Sequence, residues 1–95
     1  MHYDIVDIAK KHLSLLQDIN HAYLFGSVLD INKEPNDIDV LIIYSKYTSD
    51  MYRRIQEFAK VLETSSGIPT DLTILSIEEE KQVCFLERIE ALQFK

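Results

Sequence analysis

The apolar positions of this chain follow two rhythms. From Ile38 to Tyr44 every position but Asp39 is apolar. Along a strand, Ile38, Val40, Ile42 and Tyr44 share one face, and Asp37, Asp39, Leu41 and Ile43 share the other. Both faces of its later part are apolar, which predicts a central strand covered on both sides. His21–Phe25 reads as an earlier strand, broken by Gly26. Thr70–Leu75 reads as a third, opening after the Gly67/Pro69 break.

Between these runs the spacing changes to that of helices. Ile5, Ile8, Leu15, Leu16 and Ile19 predict a helix over 3–19. Ser27–Ile31 is expected to form one or two helical turns with Ser27 as N-cap, and 32–36 a turn containing Pro35. A long helix begins at Ser49 or Asp50, buries Met51, Ile55, Phe58, Ala59 and Leu62, and stops at Ser65-Ser66-Gly67. Ser76 with Glu79 forms a capping box for a last helix expected to reach about Phe94. The order is α-β-(short α)-β-α-β-α. It predicts an α/β (α+β) fold of three layers, with a short mixed sheet of about three strands flanked by helices. Residues 1–95 form one expected domain.

Composition adds bounds. A 95-residue chain buries only a modest core. No apolar run is long enough to cross a membrane, and no basic-then-apolar leader opens the sequence, so a cytoplasmic protein is expected. The single cysteine, Cys84, has no internal partner and reads as a small core residue among Val83, Phe85 and Leu86. His2, His12 and His21 lack metal-site spacing. A net charge of −6 makes direct nucleic-acid binding by this chain alone a poor expectation.

The candidate chemistry lies where two strand-like runs meet turns. Leu24-Phe25-Gly26-Ser27 is followed, after nine residues, by Asp37-Ile38-Asp39. Two carboxylates on one strand face repel unless a cation lies between them. Mg²⁺ takes oxygen ligands and is usually bound with substrate phosphates. A Gly-Ser turn lets phosphate oxygens approach backbone N–H groups. Asp71 opens the third strand as the pair opens the second. If the two strands are parallel neighbours, all three acids meet at one end of the sheet, a usable two-metal arrangement.

Gly26-Ser27, the spaced pair Asp37 and Asp39, and Asp71, in that order, resemble the signature of the DNA polymerase β-type nucleotidyltransferase superfamily. The small size resembles its minimal branch. The resemblance implies that Asp37, Asp39 and Asp71 bind one or two Mg²⁺ ions, with Asp71 helping to deprotonate the acceptor. It implies that Gly26 and Ser27 hold the β- and γ-phosphates of a nucleoside triphosphate, with ATP as substrate. Many relatives place a basic residue soon after Gly-Ser, whereas this chain has Val28-Leu29-Asp30. Lys33, Lys46, Arg53 or Arg54, or the metals alone, would then neutralise the triphosphate.

The reaction implied is transfer of AMP from ATP to an acceptor hydroxyl. Minimal members often pair with a HEPN-domain toxin as its antitoxin, and some AMPylate a toxin tyrosine. The alternative is a non-catalytic binding module that neutralises a partner protein with idle acids. Tyr44, Tyr47 and Tyr52 are read as packing residues ahead of nucleobase platforms. Glu78–Glu80 are read as helix-dipole residues. Apolar content in the last helix beyond the needs of one core would mark a partner surface.

Overall fold

The computed structural model describes residues 2–95, with side chains from residue 5 onward. The role expected for His2 therefore lies outside the described side chains. The elements are α1 (His2–Lys11), β1 (His21–Phe25), β2 (Ile38–Tyr44), α2 (Ser49–Ser66), β3 (Thr70–Ser76), α3 (Ile77–Val83) and β4 (Ala91–Gln93). Four-residue 3-10 turns occupy Leu13–Leu16, Gly26–Leu29 and Phe85–Arg88. The sheet runs β3-β2-β1-β4. β2 pairs in parallel with β3, and β1 pairs antiparallel with both β2 and β4. The α+β class expected from the pattern is the one observed.

One sheet face carries the main core. Leu24, Val40 and Ile42 are fully buried there against Ile55, Phe58 and Leu62 of α2. The five inward residues expected for α2 are those buried. Thr48 caps it, its Oγ1 accepting from Met51 N at 3.0 Å, and Gly67 ends it in the left-handed region at φ +74°. Leu41 and Ile43 are buried on the opposite face, where Ile77 of α3 and Leu86 come close to Ile43. β2 is thus interior and covered on both sides, as its apolar run predicts. No described helix is long and apolar enough to cross a membrane.

Four expectations need correction. The first helix ends at Lys11, and a tighter 3-10 turn follows at Leu13–Leu16, with Leu16 and Ile19 in the core. The last helix ends at Val83 instead of reaching Phe94. Cys84 adopts φ +52°, and the chain returns as a fourth strand along β1. Pairing with the open edge of β1 satisfies backbone groups that a longer helix would leave unpaired. It also seats Phe94 in the core, stacked on Phe58 at 5.8 Å. Phe94 is therefore not surplus apolar surface. Cys84 is exposed, not a core residue.

The capping box at Ser76 is present in both directions: Glu79 N donates to Ser76 Oγ at 3.0 Å, and Ser76 N donates to Glu79 Oε1 at 2.8 Å. Glu80 carries a contact that spacing did not suggest. Its Oε2 accepts from Leu86 N at 3.0 Å, tying the end of α3 to the following turn.

Candidate functional site

The parallel register places Asp39 of β2 opposite Asp71 of β3. Asp37 lies two residues earlier, just ahead of β2, where Ile38 N donates to Pro69 O at 2.8 Å and fixes the strand start beside β3. Period-two alternation puts Asp37 on the same face as Asp39. Carboxylate oxygens of all three acids lie within 4.8 Å of one another. Asp37 and Asp39 are half-buried and Asp71 is exposed. The sheet therefore brings together the three acids singled out by spacing.

Electrostatics test whether this cluster suits a cation. Burial raises the Asp39 pKa above its ordinary value, and the charges of Asp37 and Asp71 raise it further. The cost of charging Asp39 in this setting is one that a divalent ion would relieve. The donor set is all oxygen, which suits Mg²⁺. The cluster fits a hard divalent cation.

Gly26 closes the site from β1. Its φ is +80°, a conformation that glycine adopts without penalty, and a Cβ built there would collide with Asp39 Oδ2. The carboxylate thus rests against bare backbone. Ser27 follows in the 3-10 turn and is half-buried. It is not the N-cap of a helix: the residue before the turn is Phe25, and no side chain caps it. The turn is too short to carry a substantial dipole, so access to backbone is what the glycine supplies here.

Three of the four basic residues named as phosphate partners lie elsewhere. Arg54 pairs with Asp18 and Arg53 with Asp50, the latter at 3.2 Å. Both arginines sit on α2, which follows the far end of β2. Lys46 also follows that end, roughly 20 Å along the strand from the acids at about 3.3 Å per residue. Tyr44, Tyr47 and Tyr52 form a chain of ring contacts at 6.0 and 6.3 Å at the same far end, a packing role. Lys33 is nearer, 4.0 Å from Asp30 Oδ2.

Sequence spacing did not find the cleft beside Gly26. About 530 Å³ in volume, it lies between Phe25, Gly26, Leu29 and Ile31 on one side and Ile89 and Glu90 on the other. Phe25 is opposite Asp39 in the β1–β2 register and meets Phe85 edge-on at 5.4 Å. The cleft exists because the chain after α3 returns to pair with β1, which the expected longer helix would have precluded.

No curated protein matches the chain. Among the solved structures that share its fold are three of low sequence identity. One is a chain of the Shewanella oneidensis complex of tri-AMPylated HEPN toxin with MNT antitoxin, 18% identical with a TM-score of 0.65 over all of this chain and 72% of that one. Another, from Sulfolobus solfataricus, was solved as a candidate nucleotidyltransferase; it is 17% identical with a TM-score of 0.61 over 97% of this chain and 80% of that one. The third is a mutant of the toxin–antitoxin pair MntA–HpeT, 15% identical with a TM-score of 0.61 over all of this chain and 73% of that one. The family model described as polymerase beta, nucleotidyltransferase matches residues 4–90. The chain belongs to the polymerase beta nucleotidyltransferase family.

Proposed function

We propose that this chain, acting as a single domain, transfers AMP from ATP to a hydroxyl of a partner protein. The carrying observation is the convergence of Asp37, Asp39 and Asp71 within 4.8 Å, beside a glycine whose missing side chain makes room for Asp39. Similarity in fold to a complex containing a tri-AMPylated toxin supports a protein acceptor.

In this reading Asp37 and Asp39 hold Mg²⁺ with Asp71 completing the set. The ion supplies charge neutralisation at the phosphates and activation of the acceptor oxygen. The backbone at Gly26 and Ser27 orients the β- and γ-phosphates. Asp71, the exposed member of the three, takes the proton of the incoming hydroxyl. The acceptor oxygen bonds to the α-phosphorus, the bond from that phosphorus to the bridging oxygen breaks, and pyrophosphate leaves. A HEPN-type toxin is the proposed acceptor, which makes the chain an antitoxin.

The test is transfer of label from ATP marked at the α-phosphate, with Mg²⁺ and the co-expressed partner. Label reaching the partner with the native chain and not with Asp37→Asn/Asp39→Asn is the expected result. A second reading is a binding module that neutralises its partner without chemistry. The acidic lining of the cleft beside the phosphate turn favours it. An intact, inhibited complex that takes up no label would establish that reading instead.

A further inference from the structure

A bound triphosphate needs positive charge around its β- and γ-phosphates. The cleft that opens at Gly26, the residue against which Asp39 rests, offers the opposite. Among the described residues no lysine or arginine lines it, and its two charged lining residues are Asp30 and Glu90. Asp30 accepts from Asn32 N at 2.9 Å and holds Lys33 at 4.0 Å. Arg88 precedes the lining residue Ile89 without lining the cleft itself. The remaining wall is apolar, and Ile31 on its rim is 77% exposed.

An apolar cleft with a carboxylate rim fits a basic side chain carried on a segment with apolar neighbours. We propose that a partner protein inserts an arginine or lysine into this cleft, anchored over Ile31, Leu29 and Ile89, and that this cation completes the phosphate side of the site. The inference rests on the nucleotidyltransferase reading above, in which phosphates lie at Gly26 and Ser27. Charge complementarity selects the occupant. The chain carries sixteen acidic and ten basic residues, so a second copy brings like charge to an acidic rim. A basic partner gains from both the rim and the phosphates.

The experiment supplies the missing cation in cis. Ile31→Arg and Glu90→Arg each place a guanidinium at the cleft from an exposed position. Affinity is measured for an ATP analogue with a methylene bridge between the α- and β-phosphates, in Mg²⁺, using the full chain. Either variant should bind the analogue at least tenfold more tightly than the native protein. Lys33→Met and Arg88→Met should stay within about twofold of it. An acetylated nonapeptide of alternating Leu and Arg should tighten analogue binding by the native chain at least fivefold, and the same peptide with Glu for Arg should not.

Arginine variants that bind no tighter than the native chain would overturn the proposal. So would a tenfold loss in Lys33→Met or Arg88→Met, since the chain would then supply its own cation. Weakening by Ile31→Arg that differs between adenine and guanine analogues would place the nucleobase in the cleft instead. Tightening by the arginine variants with no peptide effect would refute the docking of a segment. Mn²⁺ binding, followed by its electron paramagnetic resonance signal, separates the two levels. If Mn²⁺ binds in an Asp39-dependent way and the arginines change nothing, only this inference fails. If neither Mn²⁺ nor the analogue binds any variant, the nucleotidyltransferase reading fails and the inference goes with it.

Discussion

The Asp39 carboxylate occupies the space where Gly26 would carry a side chain, so strand β2 and the turn after β1 fit together only with glycine at that position. Gly26→Ala meets both a positive φ and a collision with Asp39 Oδ2. We expect a loss of stability of about 1–3 kcal/mol, together with loss of Mg²⁺-dependent nucleotide binding. Urea unfolding and analogue titration check the two effects.

Asp39 is held in its charged form at a cost. Its pKa is raised by burial first and by Asp37 and Asp71 next. An acid whose pKa is higher folded than unfolded favours the folded state when protonated. Its penalty is absent below the ordinary carboxylate range and complete above the raised value, so the metal-free protein loses stability as pH rises through that window. Asp39→Asn removes the penalty. In chelator at neutral pH the variant should melt a few degrees above the native protein, and the gap should close towards acid pH. Mg²⁺ should raise the melting temperature of the native chain more than that of the variant.

Thr70 buries its Oγ1 with no hydrogen-bond partner, while its backbone N donates to Glu63 Oε1 at 2.9 Å. Thr70→Val removes only the unsatisfied hydroxyl. Stability should hold or rise by up to about 1 kcal/mol in chemical denaturation. A loss of that size would show that the hydroxyl is satisfied in solution.

Cys84 sits at φ +52° at the end of α3, exposed, its Sγ donating weakly to Lys81 O at 3.4 Å. A left-handed conformation costs a non-glycine residue roughly 1–2 kcal/mol, partly offset in glycine by chain entropy. Cys84→Gly should therefore stabilise the protein by up to about 1 kcal/mol. The native thiol should react stoichiometrically with an aromatic disulfide reagent before unfolding.

The legible parts of this sequence were those governed by local rules. Alternation around Asp39 fixed which side chains share a face, and the Ser49-to-Gly67 segment carried its own period and stop, although its cap, Thr48, was not read. The three acids could be grouped on the condition that the second and third strands are parallel neighbours, and the observed register meets that condition. What stayed hidden depended on distant parts of the chain. Nothing near Cys84 signals a helix end, since it is neither glycine nor followed by proline. The chain turns there because β1 has an open edge and Phe58 a space for Phe94, both far away in sequence. The cleft at Gly26 was invisible for the same reason. Its two walls are joined only once β4 pairs with β1. Arg54 read as a possible phosphate ligand because its salt bridge with Asp18 links elements that sequence alone does not align.

Asp37 and Asp39 reach Asp71 only through the intervening helix α2, whose docking sets the parallel pair in register. The acidic cluster is consequently a property of the finished tertiary structure, and no single hairpin or helical fragment contains it. A ligand that requires all three acids binds the native ensemble alone, so its binding energy adds to global stability as RT ln(1 + [L]/Kd). Hydrogen exchange from β2 and β3 should then slow together as the ion is titrated, because opening either strand disperses the cluster.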